Sequence, residues 1–447
     1  MKIWRELEAP ARRAEETHHA WPARSGWVVA GFSWNELLAL GEVGVRGLAI
    51  AYVDSLEHLT AGDVDVMAVL SPETAPLFPA SAGSLFRGAR PRESWLSVLL
   101  PWQEPPSRSI RCDGDVGSFC CSAEVFASAW RGVRPGPVEK FCLQVLEQVL
   151  NGAIEVESFR IRQLPFESGY EDISEPERDM ALIMAHRGPQ NYLSTALRFL
   201  QRAAGASKLA LRVGLDVEDT AAYQQMVADF PGVEFFGIDG APVGPYVIRQ
   251  ALVSRTHEHR LLFHDSDDIS CYDRLTCLAR EMEARQVEVV GSHELRVDVI
   301  ERTVRAYRFP LDSTAALALP GSTEENYYGC EPLLHPTLMM DRDGFNRAGG
   351  FSTDQRIAND TQFMLRSYFT LRMRNVDAFL YVRRRHAGAL TVAKETALGI
   401  PLRRQLGSTW GAAFEAVKSG KAKLEDTCLM PRHSAVPHSL TRLSPGK

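Results

Sequence analysis

The sequence predicts an α/β fold with a mixed, mostly parallel sheet flanked by helices, and two observations support this prediction. From residue 179 to residue 292, short apolar stretches alternate with stretches of helical periodicity. Strands and helices that alternate at this spacing form parallel sheets with right-handed crossovers. The second observation is a similar alternation over residues 25–170, which predicts a second, N-terminal α/β domain.

The elements of the second half follow from buried runs and amphipathic stretches, in chain order. The predicted strands are 179–185, 208–215, 233–237, 259–263, 287–292 and 376–382. The predicted helices between and after them are 191–204, 220–229, 245–257, 274–285 and 359–370. Residues 321–336 are rich in Gly, Asn and Tyr, which is typical of a loop that faces a substrate.

Length and composition set the broad class. A chain of 447 residues is expected to hold two domains or one large domain with extensions. A formal charge of −6 argues against nucleic-acid binding, which normally needs a basic stripe. No apolar run approaches the length of a membrane span, and 1–24 has no apolar signal region. The eight cysteines are scattered without CxxC spacing, so we expect reduced thiols and a cytoplasmic protein, with a peripheral position on the inner membrane face as an alternative.

Clustered carboxylates follow a short apolar stretch in the middle of the chain. The run His264-Asp265-Ser266-Asp267-Asp268 comes directly after 260–263. Ligands of open α/β folds bind at the carboxyl edge of the sheet, and carboxylates there typically hold Mg²⁺ or Mn²⁺ against nucleotide phosphates. A solvated acidic turn is the alternative. A calcium loop is excluded, because the sixth position counted from Asp265 is Ser270 and the twelfth is Thr276.

Several segments, taken in order, resemble the family 2 type of glycosyltransferase, which has the GT-A fold, a Rossmann-like sheet. The resemblance covers 177–395. The matching segments are the opening strand with His186 and Arg187, Asp216, the Gly244…Arg249-Gln250 segment, the Asp265-Ser266-Asp267 DxD motif, His335-Pro336, Gly349-Gly350-Phe351, Asn359-Asp360 and the closing run from Arg384, Arg385 and His386 to Thr391. Two positions depart from the family pattern, which usually has Glu at Asn359 and Asn at Gln250.

The resemblance implies a metal-dependent transfer of a sugar from a nucleotide-diphosphate sugar to an acceptor hydroxyl, with inversion. The metal ligands would be Asp267, Asp265 (which could instead contact the ribose) and His386. Asp268 would support them, and Asp360 would be the general base. An N-cap role for Asp360 or Asn359 is the alternative to the base.

The donor would be held by further residues. Asp216 would read the base or ribose, with helix capping as its alternative, and Arg249, Arg384 and Arg385 would contact the diphosphate. An exposed loop histidine is the alternative for His386. The expected cofactor is Mn²⁺ or Mg²⁺, and the expected partners are the donor and a glycan or other hydroxyl acceptor.

The N-terminal domain, 25–170, is interpreted as a shortened, degenerate copy of the same fold. Its segment 117–126 resembles 333–345 in pattern, and Leu70-Ser71-Pro72-Glu73 stands where the carboxylates would be. Such a copy would serve as a scaffold, a dimer surface in a homo-oligomer or an acceptor-binding module, and an unrelated α/β domain is the alternative. A helical extension over 396–429 and a flexible tail over 430–447 complete the predicted organisation.

Two other functions stay open from the sequence. A nucleotidyltransferase would also use metal carboxylates on an α/β sheet, but His186-Arg187-Gly188-Pro189 offers little of the Gly-rich phosphate loop expected of one. A glycan- or nucleotide-sugar-binding protein on an inactive transferase fold is the second alternative. The retained Asp265, Asp267 and Asp360 argue against it.

Overall fold

A computed structural model of the chain describes residues 27–32, 51–53, 66–71, 74, 94–106, 110–132, 140–164, 176–238, 242–312, 333–434 and 439–444. The predicted extension 1–24 and most of the predicted loop 321–336 lie outside these residues. No helix in the described part of the chain is long and apolar enough to cross a membrane.

The strands fall in two groups along the chain. They are β1 (Trp27–Phe32), β2 (Ala51–Val53), β3 (Val66–Leu70), β4 (Trp95–Pro101), β5 (Arg111–Asp115), β6 (Phe119–Ser122), β7 (Ser158–Leu164), β8 (Met180–His186), β9 (Leu209–Leu215), β10 (Val233–Ile238), β11 (Arg260–Asp265), β12 (Ile269–Ser270), β13 (Val289–Asp298), β14 (Thr303–Arg308), β15 (Met339–Asp341), β16 (Met373–Arg385) and β17 (Leu440–Arg442).

The helices connect these strands or follow them. They are α1 (Ala123–Gly132), α2 (Phe141–Leu150), α3 (Gln190–Arg202), α4 (Gln224–Asp229), α5 (Pro245–Val253), α6 (Arg274–Arg285), α7 (Arg342–Arg347), α8 (Asn359–Thr370) and α9 (Pro401–Lys418). Short 3₁₀ turns lie at Ala206–Lys208, Ala221–Tyr223, His335–Thr337 and Leu424–Asp426.

The large sheet confirms the predicted fold class. Its strand order is β12-β16-β13-β15-β11-β8-β9-β10-β17, with β14 on β13 and β5 on β14. Strands β8, β9, β10 and β11 are mutually parallel, β13 is parallel to β16, and β15 runs antiparallel between β11 and β13. The carboxyl ends of β8, β9 and β11 therefore meet at one edge, as the sequence predicts.

Three segments form strands that the sequence did not predict. In each, hydrogen bonding to a neighbouring strand outweighs the polarity of the segment itself. Strand β13 continues to Asp298 and turns back as β14, which the sequence analysis missed. Strand β16 continues through Arg383–Arg385, a basic run predicted to follow the strand, because these residues pair with β13. In the tail that was predicted to be flexible, Leu440–Arg442 form β17 on the free edge of β10.

The N-terminal sheet has the order β2-β1-β3-β6-β4-β7. Six strands of the large sheet, β9-β8-β11-β15-β13-β16, follow the same pattern. If the six strands of each set are numbered along the chain, both sets have the order 2-1-3-5-4-6. The pairings β3–β6, β4–β6 and β4–β7 also keep the directions of β11–β15, β13–β15 and β13–β16. Strand β1 departs, because it is antiparallel to both neighbours where β8 is parallel to both. The degenerate copy stays a hypothesis, and the shared order is compatible with it.

The two sheets share a hydrophobic core. One cluster joins side chains of β4, β6, β7, α1 and α2 with side chains of the large sheet, among them Leu295, Val297, Val304 and Val382. Strand β5 lies between two strands of the N-terminal sheet in sequence, but it pairs with β14 of the large sheet. Burial of apolar surface drives folding, so the N-terminal unit and the large sheet stabilise each other.

A buried arginine fixes this junction. The Arg308 side chain is fully buried and donates from Nε to the Asp113 carboxylate at 2.8 Å and from Nη2 to the Pro101 carbonyl at 3.0 Å. It also donates to Gln163, whose amide donates to the Asp377 carbonyl at 3.2 Å. A buried charge is tolerated only when it is paired and hydrogen-bonded, and these partners come from both units.

We expect Arg308→Met to lower the free energy of unfolding by about 3 kcal/mol, because the Pro101 carbonyl and the Gln163 side chain lose their donor and Asp113 keeps only Arg111 as a cation. The measurement is a guanidinium titration followed by tryptophan fluorescence. Arg302→Met is the matched control, since Arg302 lies at the turn before β14 with an exposed side chain and should change the stability by less than about 1 kcal/mol. Equal stability of both variants would contradict the role of the Arg308 network.

Candidate functional site

The carboxylates predicted from the sequence lie at the carboxyl end of β11. The Leu261, Leu262 and Phe263 side chains are fully buried in the middle of the sheet, so the strand is fixed up to Asp265. The chain then turns, with the Asp268 N–H donating to the Asp265 carbonyl at 3.3 Å, and enters β12. The turn presents the side chains of Asp265 and Asp267 to a cavity of about 1180 Å³.

The two carboxylates of the DxD motif have different partners. Asp265 forms an ion pair with Arg249, whose side chain is almost fully buried. Burial raises the pKa of Asp265, and Arg249 partly offsets this. The Asp267 carboxylate lies 2.8 Å from Nε2 of His386. Burial acts to raise the pKa of Asp267 as well, but the hydrogen bond and charge of His386 outweigh it and lower the pKa.

Asp268 ties the turn to β16. Its carboxylate accepts the backbone N–H of Arg384 and the hydroxyl of Tyr381, both at 2.7 Å. Burial, with the neighbouring Asp267 and Asp265, raises the pKa of Asp268 well above its usual value. The Asp268 carboxylate is therefore bound to β16 at the base of the cavity, and its supporting role for a metal ion stays a prediction.

A buried histidine holds the middle residue of the motif. His186 ends β8, and its Nδ1 lies 2.8 Å from the Ser266 hydroxyl while its Nε2 lies 3.0 Å from the Tyr223 hydroxyl. All three side chains are buried. Burial lowers the pKa of His186 to about 4, so the ring is neutral near pH 7. Tyr223 was missed from the sequence, because its only signal is this contact with His186 across 37 residues of chain.

Asp360 lies in the first turn of α8 and lines the same cavity. The N-cap residue is Ala358, which has a left-handed backbone, and no side chain caps the helix. Asn359 is buried and donates instead to the carbonyls of Ser352 and Gln355. Neither Asn359 nor Asp360 occupies the N-cap position, but the Asp360 carboxylate accepts the N–H of Thr361 in the first turn at 3.0 Å.

A tyrosine connects Asp360 to the DxD motif. Tyr246 is hydrogen-bonded to Asp360, and its ring lies 5.2 Å from the guanidinium of Arg249. Burial, reinforced by Asp360, raises the pKa of Tyr246 well above its usual value, so the phenol stays protonated and donates to the carboxylate. The chain Asp360–Tyr246–Arg249–Asp265 thus joins the predicted base to the predicted ligand.

Three predicted donor-binding residues have structural partners. The Asp216 carboxylate accepts the N–H groups of Val243 and Gly244 at 2.8 and 3.0 Å, which holds the segment before α5. Arg384 is buried against the end of α2, where it donates to the Leu150 carbonyl. Arg385 pairs with Asp298 at 2.6 Å. The Arg384 guanidinium thus contacts the end of α2, and Arg384 lines the cavity together with Asp216 and Arg385, so the predicted diphosphate contacts stay predictions.

The described residues hold no group of three or more His, Cys, Asp or Glu side chains arranged around a metal position. Two predicted ligands, Asp267 and His386, do meet within hydrogen-bond distance, and Asp265 lies two residues away on the same turn. Mg²⁺ and Mn²⁺ commonly take one or two carboxylates and complete their coordination with phosphate oxygens and water. The side chains present fit such a cation.

No protein-family model and no curated protein matches the chain. Among solved structures, it is similar to residues 1–349 of TarS from S. aureus in complex with UDP-GlcNAc, with a TM-score of 0.39 and 16% identity over 56% of this chain and 77% of that one. The complex of the same protein with UDP gives a TM-score of 0.36 and 16% identity over 56% and 76%. The longer TarS structure gives 0.37 and 15% over 55% and 44%. Likenesses of this degree leave the activity to be inferred from the chain's own residues.

We expect His186→Phe to weaken the metal-dependent nucleotide binding that the sequence predicts about tenfold, while the protein stays folded. The ring keeps its shape, but Ser266 and Tyr223 lose buried hydrogen bonds, each worth about 0.5–1.5 kcal/mol. Calorimetry with UDP or GDP and Mn²⁺ measures the affinity. Tyr223→Phe removes one of the two bonds and should have a smaller effect. An unchanged affinity for both variants would show that the network does not position the motif.

We expect His335→Phe to flatten the dependence of stability on pH. His335 is fully buried between Phe263 and Phe351, and burial, with Arg249, lowers its pKa well below the usual value. Below about pH 6.5 the unfolded chain binds this proton and the folded protein does not, so stability falls as the pH falls.

Between pH 6 and 5, the free energy of unfolding of the parent should fall more steeply than that of His335→Phe. The difference between the two slopes should be on the order of 1 kcal/mol per pH unit. Urea titrations across this range measure it. The other buried histidines, His186, His264 and His293, are present in both proteins and cancel in the comparison. Parallel pH profiles would mean that His335 is protonated in the folded state.

Proposed function

We propose that this chain is a metal-dependent glycosyltransferase that moves a sugar from a nucleotide-diphosphate sugar to an acceptor hydroxyl, with inversion at the anomeric carbon. One observation carries the proposal. The Asp267–His386 pair at the end of β11 and the Asp360 carboxylate at the start of α8 face one cavity that is large enough for two ligands.

The donor would bind at the edge formed by the ends of β8, β9 and β11. Asp267 and His386, with Asp265, would hold a divalent cation, which when bound neutralises the charge that develops on the leaving diphosphate. Asp216 and the backbone of Arg187 and Gly188 line the cavity beyond β8, on the side where the nucleoside would lie. His186 keeps Ser266 in place, so the turn keeps its shape when the donor arrives.

Asp360 would accept the proton of the acceptor hydroxyl. A placed carboxylate base contributes about 10²–10⁴-fold to such a transfer. The Tyr246 hydroxyl orients the carboxylate through one oxygen. Because Asp360 attacks nothing itself, the hydroxyl displaces the nucleotide directly, and direct displacement inverts the anomeric carbon.

Asp360→Asn should lower kcat about 10²–10⁴-fold while donor KM changes by only a few-fold, because the amide keeps the shape and removes the base. Asp267→Asn should instead weaken Mn²⁺-dependent nucleotide binding as well. A thermal-shift panel of UDP-, GDP-, dTDP- and CMP-sugars, with and without Mn²⁺, identifies the donor first. Transfer to a panel of glycan acceptors is then measured at saturating substrate.

Asp354→Asn is the matched control, because Asp354 is exposed on the loop before α8 and does not line the cavity. Transfer by Asp360→Asn within a few-fold of the parent would rule out Asp360 as the base. A parent protein that binds nucleotide sugars but neither transfers nor hydrolyses them would be a binding protein on this fold.

A further inference from the structure

Three arginines lie in one row across adjacent strands beside the site. The register places Arg296 of β13 opposite Arg305 of β14 and opposite Arg383 of β16. Residues on either side of the row, including Leu295, Val297, Val304 and Val382, belong to the core shared with the N-terminal unit. Because side chains alternate between the two faces of a strand, the three arginines lie on the other face, where they line the cavity.

Such a row is unfavourable unless something compensates for it. Like charges directly opposite each other on neighbouring strands destabilise a sheet. Glu294 is fully buried on the same face and lies 2.7 Å from Arg296 and 3.9 Å from Arg383. In the register, Asp115 of β5 stands opposite Arg305. Glu294 thus offsets part of the charge of Arg296 and Arg383, and the row holds its guanidinium groups at a cavity wall.

The shape of this wall is fixed by packing. The Arg296 guanidinium stacks 3.9 Å from the centre of the Tyr307 ring. The Arg296 and Arg383 side chains are only 14% and 15% exposed. Arginines held in this way lose little conformational entropy on binding, and their planar groups match carboxylate and phosphate oxygens.

The three arginines and the expected nucleoside lie on opposite sides of the DxD turn. Arg383 directly precedes Arg384, whose backbone N–H donates to Asp268 of the turn at 2.7 Å, so the row begins beside the turn. In the sheet, β11 separates β8 and β9, where the nucleoside is expected, from β13 and β14. A ligand at Arg296 and Arg305 therefore lies beyond the carboxylates, on the far side from the nucleoside.

We propose that Arg296 and Arg305, with Arg383, bind an anionic group of the acceptor, a phosphate or a carboxylate. The identification of the ligand as the acceptor rests on the proposed function, but the binding of an anion at these arginines does not. It names the class of acceptor as an acidic glycan or a phosphate-bearing hydroxyl compound. It also gives the N-terminal unit a part in the site, because β5 pairs with β14 and its Cys112 lines the cavity next to Tyr307.

The test uses the full chain and inorganic phosphate as the probe. Calorimetry measures phosphate affinity alone and in the presence of Mn²⁺ with UDP or GDP, and separately measures the affinity for the nucleotide. We expect Arg305→Gln and Arg296→Gln to weaken phosphate binding about tenfold or more, since a hydrogen bond to a charged group is worth that much. Nucleotide affinity should stay within about twofold, because the row lies beyond the carboxylates.

Two further variants control for folding and for general charge. Arg305→Lys keeps the charge without the planar fork and should bind phosphate with intermediate affinity. Arg302→Gln removes an exposed arginine from the turn between β13 and β14 and should behave as the parent. In transfer assays, a glycan acceptor that carries a phosphate or uronate should have a lower KM than its neutral counterpart, and Arg305→Gln should abolish this preference with kcat unchanged.

The outcomes separate this proposal from the proposed function. Equal phosphate affinity in all variants would overturn the anion site. Loss of nucleotide and phosphate affinity by the same factor would assign the row to the donor diphosphate and overturn the acceptor proposal. If phosphate binding depends on Arg305 while no nucleotide binds the parent, the anion site stands and the glycosyltransferase proposal fails.

Discussion

The hydrogen bonds of one buried carboxylate hold the site together. Asp268 accepts the N–H of Arg384 and the hydroxyl of Tyr381, so the turn after β11 is anchored to β16 over a sequence distance of more than a hundred residues. An anchor of this kind fixes where β16 ends relative to the turn. His386, the residue just after β16, reaches Asp267 as a result. A buried polar group that lost these partners would be costly, and the turn would then have no fixed position.

The same logic extends to the opposite wall of the cavity. Arg249 is too deeply buried to remain charged without an acid, and Asp265 supplies it. Tyr246 stacks beside Arg249 and is hydrogen-bonded to Asp360. The position of the carboxylate at the start of α8 therefore depends on the ion pair at the end of β11. Two groups that would act on different substrates, one on the donor and one on the acceptor, share one polar chain.

How much the sequence predicts depends on the range of the interactions involved. The strand before Asp265 is readable because a local apolar run fills a parallel sheet. The position of Asp360 at a helix start is also readable, since amphipathic periodicity is local. The partners that define the site are long-range. Tyr246 and Tyr223 carry no local signal for their roles. Arg384 is predicted from the sequence as a phosphate ligand, and its hydrogen bond to the Leu150 carbonyl could not be predicted, because it joins residues far apart in the chain.

The N-terminal unit has the strand order of part of the large sheet without the carboxylates that follow β11, and its location suggests why the chain would keep it. It lends β5 to the large sheet, covers one face of β13, β14 and β16 with a shared core, and accepts the guanidinium of Arg384 at the end of α2. With one face of these strands buried in that core, alternation directs Arg296, Arg305 and Arg383 to the other face. The apolar contacts of the N-terminal unit thus determine on which side of the sheet the charged residues stand. The N-terminal unit can in this way shape the far wall of its neighbour's cavity.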